Sequence, residues 1–277
     1  MIAVTPTLAL IVFGAGAAAG ALGALLGIGG GVFLVPFLNL TLNLPFREAA
    51  AISLTTVIAT SSAVSAGRAG KQLINLRFGM LLEVATVGGS LLGGVTAQLL
   101  SQPTLQKMFG VVAAFAAVTM LGRLQRRNVL LDPSIVPGPL SGRYYEQESG
   151  GVVTYRIKRL PVALLASFVA GNVSSLFGIG GGVIKVPALN AWCGMPLRAA
   201  AATSAFMIGV TATGGAVIYY GHGQLIPSLA AAAVLGVQVG SWTGFAFSER
   251  TSVKWLKLLM AAVLCVVSAL MFVRSLS

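Results

Sequence analysis

Residues 27–38 read GIGGGVFLVPFL, and residues 178–189 read GIGGGVIKVPAL. The two stretches lie 151 positions apart. With the same offset and without a gap, 16 of the 27 positions in 27–53 are identical to those in 178–204. A register kept over this length indicates an internal duplication, because a shared composition alone would not preserve it.

The composition places this duplicated chain in a membrane. Of its 277 residues, 56% are hydrophobic and 9% are charged, whereas soluble domains carry about 25% charged residues. A spanning helix needs about 20 apolar residues, so the chain has room for about eight to ten membrane segments and a modest polar loop. The 35 glycines favour a closely packed bundle with broken helices around an internal site. A soluble enzyme domain is excluded.

Ten apolar stretches divide evenly around one polar gap. They cover residues 8–26, 29–44, 49–66, 78–100, 105–122, 161–177, 180–195, 199–220, 225–247 and 253–273. The second and the seventh are short and contain Pro36 and Pro187, so they are predicted to be half-helices or re-entrant segments. We predict an all-α polytopic membrane protein with a first repeat in 1–122, a polar linker in 123–160 and a second repeat in 161–277.

The basic residues between the stretches predict the topology. Loop 67–77 carries three Lys or Arg residues, but its repeat partner 221–224 carries none; conversely, 101–107 carries one and its partner 248–257 carries three. Because basic loops remain in the cytoplasm, the halves are predicted to be inverted, with about five segments each. Loop 123–160 is then cytoplasmic and both termini lie outside.

The remaining charge and cysteine signals are weak. A net charge of +12 would indicate nucleic acid in a soluble chain, but here it reflects topology, and no nucleic-acid partner is expected. Cys193 and Cys265 have no metal-ligand spacing, so neither a metal nor a cofactor is predicted. Residues 1–10 lack the basic start of a signal peptide and are interpreted as the entry to the first segment. Residues 152–157 favour a small surface hairpin.

The glycine stretches are the first candidate for a binding site. If a half-helix begins after each of them, free backbone N–H groups and the helix dipole would favour an anion there. The alternative is that the glycines only allow close packing. The spacing fits neither a phosphate-binding P-loop nor a dinucleotide fingerprint. The predicted backbone donors are Gly29, Gly30, Gly31, Gly180, Gly181 and Gly182.

Polar side chains near the glycines are the second candidate. Lys185 interrupts an apolar segment at a position where the first repeat has Leu34, and a membrane lysine suggests a charge for a bound anion. The alternative is a lysine that extends to the interface, since no membrane carboxylate obviously pairs with it. Hydroxyl and amide side chains could orient the anion or join helices to one another. These are Asn39, Asn190, Ser53, Ser204 and Thr203.

Two further groups of charged residues have competing interpretations. Glu83 is the carboxylate that lies well inside an apolar segment, where it could couple transport to protons or form a salt bridge with Arg77. Arg47 and Arg198 each follow a proline at a helix start, and we interpret them as anchors rather than as anion attractors. The single histidine, His222, provides no acid–base set, so an enzyme is not predicted.

The doubled motif resembles the sulfite exporter TauE/SafE family of membrane permeases. The resemblance rests on the two stretches quoted at the outset and on the Pro-x-Arg-x-Ala-Ala-Ala-x-Ser patterns that begin at Pro45 and Pro196. It covers nearly the whole chain outside 123–160. It implies transport of sulfite, sulfoacetate or another small organosulfonate across a bacterial inner membrane.

These observations lead to one functional hypothesis with two alternatives. We expect a secondary transporter for a small sulfur-containing anion, working by alternating access around a midplane site. An anion channel and a non-transporting membrane scaffold are the alternatives. The sequence does not determine which anion is carried, in which direction, or with which coupling ion. It also does not determine whether the protein forms a homodimer.

Overall fold

A computed structural model describes residues 5–26, 29–68, 73–121, 138–146, 151–248 and 253–275. Over these residues the chain forms ten α-helices and one β-hairpin. The first half contains α1 (Pro6–Leu26), α2 (Gly31–Thr41), α3 (Phe46–Arg68), α4 (Leu76–Leu99) and α5 (Gln102–Leu121). The linker contains β1 (Gly142–Glu146) and β2 (Gly151–Tyr155). The second half contains α6 (Leu160–Phe177), α7 (Gly182–Ala191), α8 (Leu197–Gly221), α9 (Pro227–Ser248) and α10 (Val253–Arg274).

Each predicted segment corresponds to one helix, which confirms the all-α membrane fold. Among the described residues, five helices (α1, α3, α4, α6 and α8) are long and apolar enough to cross a membrane. The second and seventh helices have only 11 and 10 residues. At 1.5 Å per residue they are about 15 Å long, roughly half of the hydrocarbon core. The prediction of two half-length helices is therefore confirmed.

Helices of one half pack against helices of the other half in equivalent pairs, as expected for a duplicated unit. Helix α4 packs against α6, and its repeat partner α9 packs against α1. In both pairs glycine lets the backbones touch: a Cβ at Gly89 would collide with the Phe168 carbonyl, and a Cβ at Gly240 would collide with the Ala17 carbonyl. The equivalent helices α3 and α8 pack on each other, as do α5 and α10. Neither half therefore encloses its own core.

The linker hairpin packs against the membrane helices. Its strands pair antiparallel, in a register that places Tyr144 opposite Val153. Tyr144 and Tyr155 are buried in one cluster with Phe78 of α4 and Leu189 of α7. The predicted hairpin is thus confirmed, although one of its faces is buried rather than exposed, because alternate residues of each strand point towards the helices.

Candidate functional site

Both half-helices begin at a glycine turn that only glycine adopts without strain. Gly180 and Gly181 have φ values of 80° and 70°, and Gly29 in the first half has 84°. These values lie in the left-handed region that side chains with a Cβ disfavour. Because the chain reverses there, α7 and α2 start inside the bundle. Residues 27 and 28 of the first turn lie outside the described residues.

The turns from the two halves meet at the centre of the molecule. A Cβ at Gly31 would collide with the Gly178 carbonyl, so α2 starts directly against the second turn. The Ser53 hydroxyl donates to the same carbonyl at 2.6 Å. The described glycines of both turns are buried. The two glycine turns therefore lie against each other, and Ser53 joins one half to the other.

The space beside the turns is small and apolar. A cavity of about 10 Å³ lies between them, lined by Val32, Ile179 and Val183 together with residues of α5. This volume holds about one water molecule at most. A larger open groove of about 590 Å³ runs between α3, α4 and α8 and has hydroxyl groups from Ser61 and Thr213 in its lining. The turns are thus closed to a solute in this conformation.

Lys185 projects from the first turn of α7 into the protein. Its backbone N–H donates to the Gly181 carbonyl at 3.1 Å, and the whole residue is only 1% exposed. A lysine that extended to the interface would keep its ammonium group in water. That alternative interpretation is therefore wrong.

The partners of Lys185 come from two other helices. Its ammonium donates to the Thr211 hydroxyl of α8 at 3.0 Å, and that hydroxyl lies 2.8 Å from Oε1 of Glu83 on α4. The ammonium nitrogen is 4.0 Å from Oε2 of Glu83. The expectation that no carboxylate pairs with Lys185 is wrong, and among the described residues Glu83 pairs with Lys185 rather than with Arg77.

This ion pair leaves hydrogen-bonding capacity unused. An ammonium group has three donors, but among the described residues the Lys185 ammonium has one acceptor, Thr211. Oε2 of Glu83 is buried and has no hydrogen-bond partner. Buried charges normally satisfy all their donors and acceptors. A bound anion could accept hydrogen bonds from the unused donors of the Lys185 ammonium.

The equivalent place in the other half is apolar. Lys185, Glu83 and Thr211 correspond by the 151-residue offset to Leu34, Val234 and Thr60. Leu34 is fully buried and Val234 is partly buried. Thr60 and Thr211 each donate to a carbonyl of their own helix, but only Thr211 also contacts an ion pair among the described residues. The equivalent positions of the first repeat and of α9 thus carry apolar side chains without these charges.

The two predicted asparagines have the same structural role in both halves. The Asn39 amide donates to the Leu44 carbonyl and the Asn190 amide donates to the Met195 carbonyl, each at 2.8 Å. Asn39 also accepts from Gln106 at 2.9 Å. These bonds hold the loop that follows each half-helix. One N–H donor of each amide is thus engaged by the fold, and the prediction that the two asparagines orient an anion remains untested.

The predicted hydroxyls differ from one another. The Thr203 hydroxyl accepts the backbone N–H of Asn75 at 3.0 Å, which holds the start of α4. The Ser204 hydroxyl is buried and has no hydrogen-bond partner among the described residues. Ser204 is thus a free hydroxyl near the start of α8, whereas its repeat partner Ser53 already has an acceptor.

Arg47 fits its interpretation as an anchor. Its guanidinium donates to the carbonyls of Ala97, Gln98 and Leu100 at 2.7–3.1 Å. Ala97 and Gln98 lie in the last turn of α4, where carbonyls lack partners within the helix, and Leu100 directly follows it. The positive charge also lies at the negative end of the helix dipole.

Comparison with known proteins agrees with this architecture. A family model described as sulfite exporter TauE/SafE matches residues 12–271. The chain belongs to the sulfite exporter TauE/SafE family. The resemblance inferred from the glycine motifs is thereby confirmed. No solved structure matches the chain significantly.

Two relatives of this TauE/SafE protein match along almost their whole length. The probable membrane transporter protein YunE of Bacillus subtilis is 26% identical over 260 residues, which is 91% of this chain and 93% of the relative. The probable membrane transporter protein MJ0441 of Methanocaldococcus jannaschii is 24% identical over 272 residues, 91% of each chain. The family and these relatives support a membrane-embedded transporter.

Sequence reasoning missed Thr211 and the serines beside it. Ser90 donates to the Thr211 carbonyl and lies 2.6 Å from the Ser175 hydroxyl, so a buried polar network continues from the ion pair into α6. Thr211 follows Lys185 by 26 residues, and Glu83 lies 102 residues before Lys185. No local pattern connects positions so far apart. The one available signal was that Glu83 and Lys185 are both ionisable groups within apolar segments.

Proposed function

We propose that this protein is a secondary transporter of a small sulfur-containing anion such as sulfite, sulfoacetate or another organosulfonate. The observation that carries the proposal is the buried ammonium of Lys185 at the glycine-turn start of α7. A buried cation with two of its three N–H donors unused, next to the N-terminus of a half-helix, is suited to anionic oxygens. Sulfite and sulfonate groups present such oxygens.

The proposed site combines three kinds of donor. Lys185 supplies the charge, the backbone of Gly180 to Gly182 supplies N–H groups at the positive end of α7, and the free Ser204 hydroxyl supplies a neutral donor. The first turn, Gly29 to Gly31, is proposed to contribute in the same way from the other half. Ser53 is proposed to hold the turns together until they separate.

Alternating access accounts for the closed packing at the turns. With only about 10 Å³ beside them, an anion can bind only after the two half-helices move apart. The inverted arrangement of the halves and a bacterial inner-membrane location belong to this proposal. A pair of broken segments that opens to one side at a time would then move the anion across the bilayer.

The test is uptake of sulfite, sulfoacetate and isethionate into proteoliposomes containing the purified protein. The informative variant is Glu83→Val/Lys185→Leu, which copies the apolar pair found at Val234 and Leu34. Because apolar residues occupy both equivalent positions and a buried ion pair adds little stability over apolar side chains, we expect the variant to fold with a melting temperature within a few degrees of wild type. Its anion uptake is expected to fall at least tenfold.

The matched control is Leu34→Met, which changes the equivalent position of the other half and should leave uptake unchanged. Undiminished uptake by the double variant would contradict the proposed site. Single-channel currents carried by the wild type would identify a channel instead, and absence of uptake or binding for all three anions would contradict the proposed substrate class.

A further inference from the structure

We infer that Glu83 is a tethered counter-anion for Lys185, which the transported anion displaces and which takes up one proton as it is displaced. The inference rests on the proposed function and specifies its coupling. The proton enters from the aqueous side that supplies the anion and leaves with the anion on the other side. The transported unit is thus one anion together with one proton.

The geometry supports competition between Glu83 and a second anion. The carboxylate and the ammonium are 4.0 Å apart, beyond direct hydrogen bonding, and the Thr211 hydroxyl lies between them. The ammonium therefore holds its counter-anion loosely and has two donors to spare. An anion that reached it would gain direct hydrogen bonds that Glu83 does not make.

Charge balance then requires a proton. With Lys185 and Glu83 both ionised, the buried pair is neutral. A monovalent anion would leave one uncompensated negative charge in a region of low dielectric, which is strongly unfavourable. Protonation of Glu83 restores neutrality. Because linkage is reciprocal, a protein with protonated Glu83 must in turn bind the anion more tightly.

Stability does not explain why the pair exists. Buried ion pairs are often no more stabilising than apolar side chains of similar volume. By the 151-residue offset the equivalent positions are Leu34, which is buried, and Val234, which is partly buried, so apolar side chains occur at both positions in the duplicated unit. The charges are therefore best explained by what they do during transport.

Other ionisable groups lie farther along the packed elements. Helix α6 has no titratable side chain, and α7 contributes only Lys185. Helix α8 carries its titratable groups at least eight residues from Thr211. On the described parts of these elements the other groups are Arg77 at the start of α4, Arg198, Tyr219 and Tyr220 on α8, the hairpin residues Arg143, Tyr144, Tyr145, Glu146 and Tyr155, and Cys193 after α7. Glu83 is thus the group that takes up the proton, and Lys185 is the cation that it neutralises.

The test measures the binding of isethionate, whose sulfonate keeps its charge between pH 5.5 and pH 8, to the purified full-length protein. In the wild type, the dissociation constant is expected to fall by up to about tenfold for each unit of decreasing pH, as one linked proton requires. Glu83→Gln mimics the protonated side chain. It is expected to bind tightly with no pH dependence and to retain anion counterflow while losing proton-driven accumulation.

Val234→Gln is the matched control, and it should keep the pH dependence of the wild type. If Glu83→Gln does not fold, proton uptake by the wild type on binding decides the question, with about one proton per anion expected. Binding without proton uptake, or pH dependence that survives in Glu83→Gln, would overturn this inference while leaving the proposed transporter intact. If isethionate does not bind, sulfoacetate and sulfite are tested in the same assay, and the wild type is compared with Glu83→Gln because sulfite itself takes up a proton near neutral pH; absence of binding by all three would overturn both.

Discussion

At Gly31 the chain has no room for a side chain. A Cβ there would collide with the Gly178 carbonyl and lie 2.6 Å from the Ser53 hydroxyl, and both neighbours belong to the meeting of the two turns. We expect Gly31→Ala to destabilise the protein by about 1–3 kcal/mol, since overpacking forces backbone to shift. Thermal unfolding in detergent measures the effect.

Gly14→Ala is the control at the same scale. A Cβ at Gly14 would meet nothing within 4 Å, and alanine is the better helix former by about 1 kcal/mol. This variant should unfold at or slightly above the wild-type temperature. Equal melting temperatures for the two variants would mean that the turns are looser than the structure shows.

At the scale of elements, the stability of the docked linker hairpin is expected to depend on pH. The Tyr155 hydroxyl accepts from Asn75 at 3.3 Å, and burial raises the pKa of the Tyr155 phenol above its usual value. Because the folded state favours the neutral phenol, its contribution to docking is complete below about pH 10. It is lost as the pH rises through the folded-state pKa.

We therefore expect Tyr155→Phe to remove part of the stability loss that begins above about pH 10. Melting temperatures across that range, with an ultraviolet titration of the tyrosines, provide the measurement. Tyr145 on the other strand of the hairpin is 61% exposed, so Tyr145→Phe should keep the wild-type pH profile. A Tyr155 phenol that ionises together with exposed tyrosines would show that the hairpin does not dock as described.

At the scale of the whole molecule, the prediction concerns the orientation of the halves. An inverted repeat places loop 221–224 outside and the linker hairpin in the cytoplasm. Single cysteines at His222 and Val152, both exposed, would report the two sides in a background lacking Cys193 and Cys265. In intact cells an impermeant maleimide should label the first cysteine only, and the second should react after permeabilisation. Labelling of both from the same side would contradict the inverted arrangement.

The sequence by itself determined the helices, the duplication and the family. Hydrophobic segments in lipid must form helices because no water satisfies their backbone groups, and each of the ten segments is a helix. The glycine stretches and the internal prolines in the sequence were enough to predict that α2 and α7 are about half as long as a membrane-spanning helix. The shared position of Asn39 and Asn190 followed from the repeat, although the carbonyls to which they donate did not.

Only the tertiary structure decided which polar groups meet. Glu83, Lys185 and Thr211 come from three helices, and their contact depends on how α4 of the first half crosses α7 and α8 of the second. Helix formation is local, so a run of residues encodes it. Pairing of buried charges depends on the packing of distant segments, which no single stretch of sequence encodes.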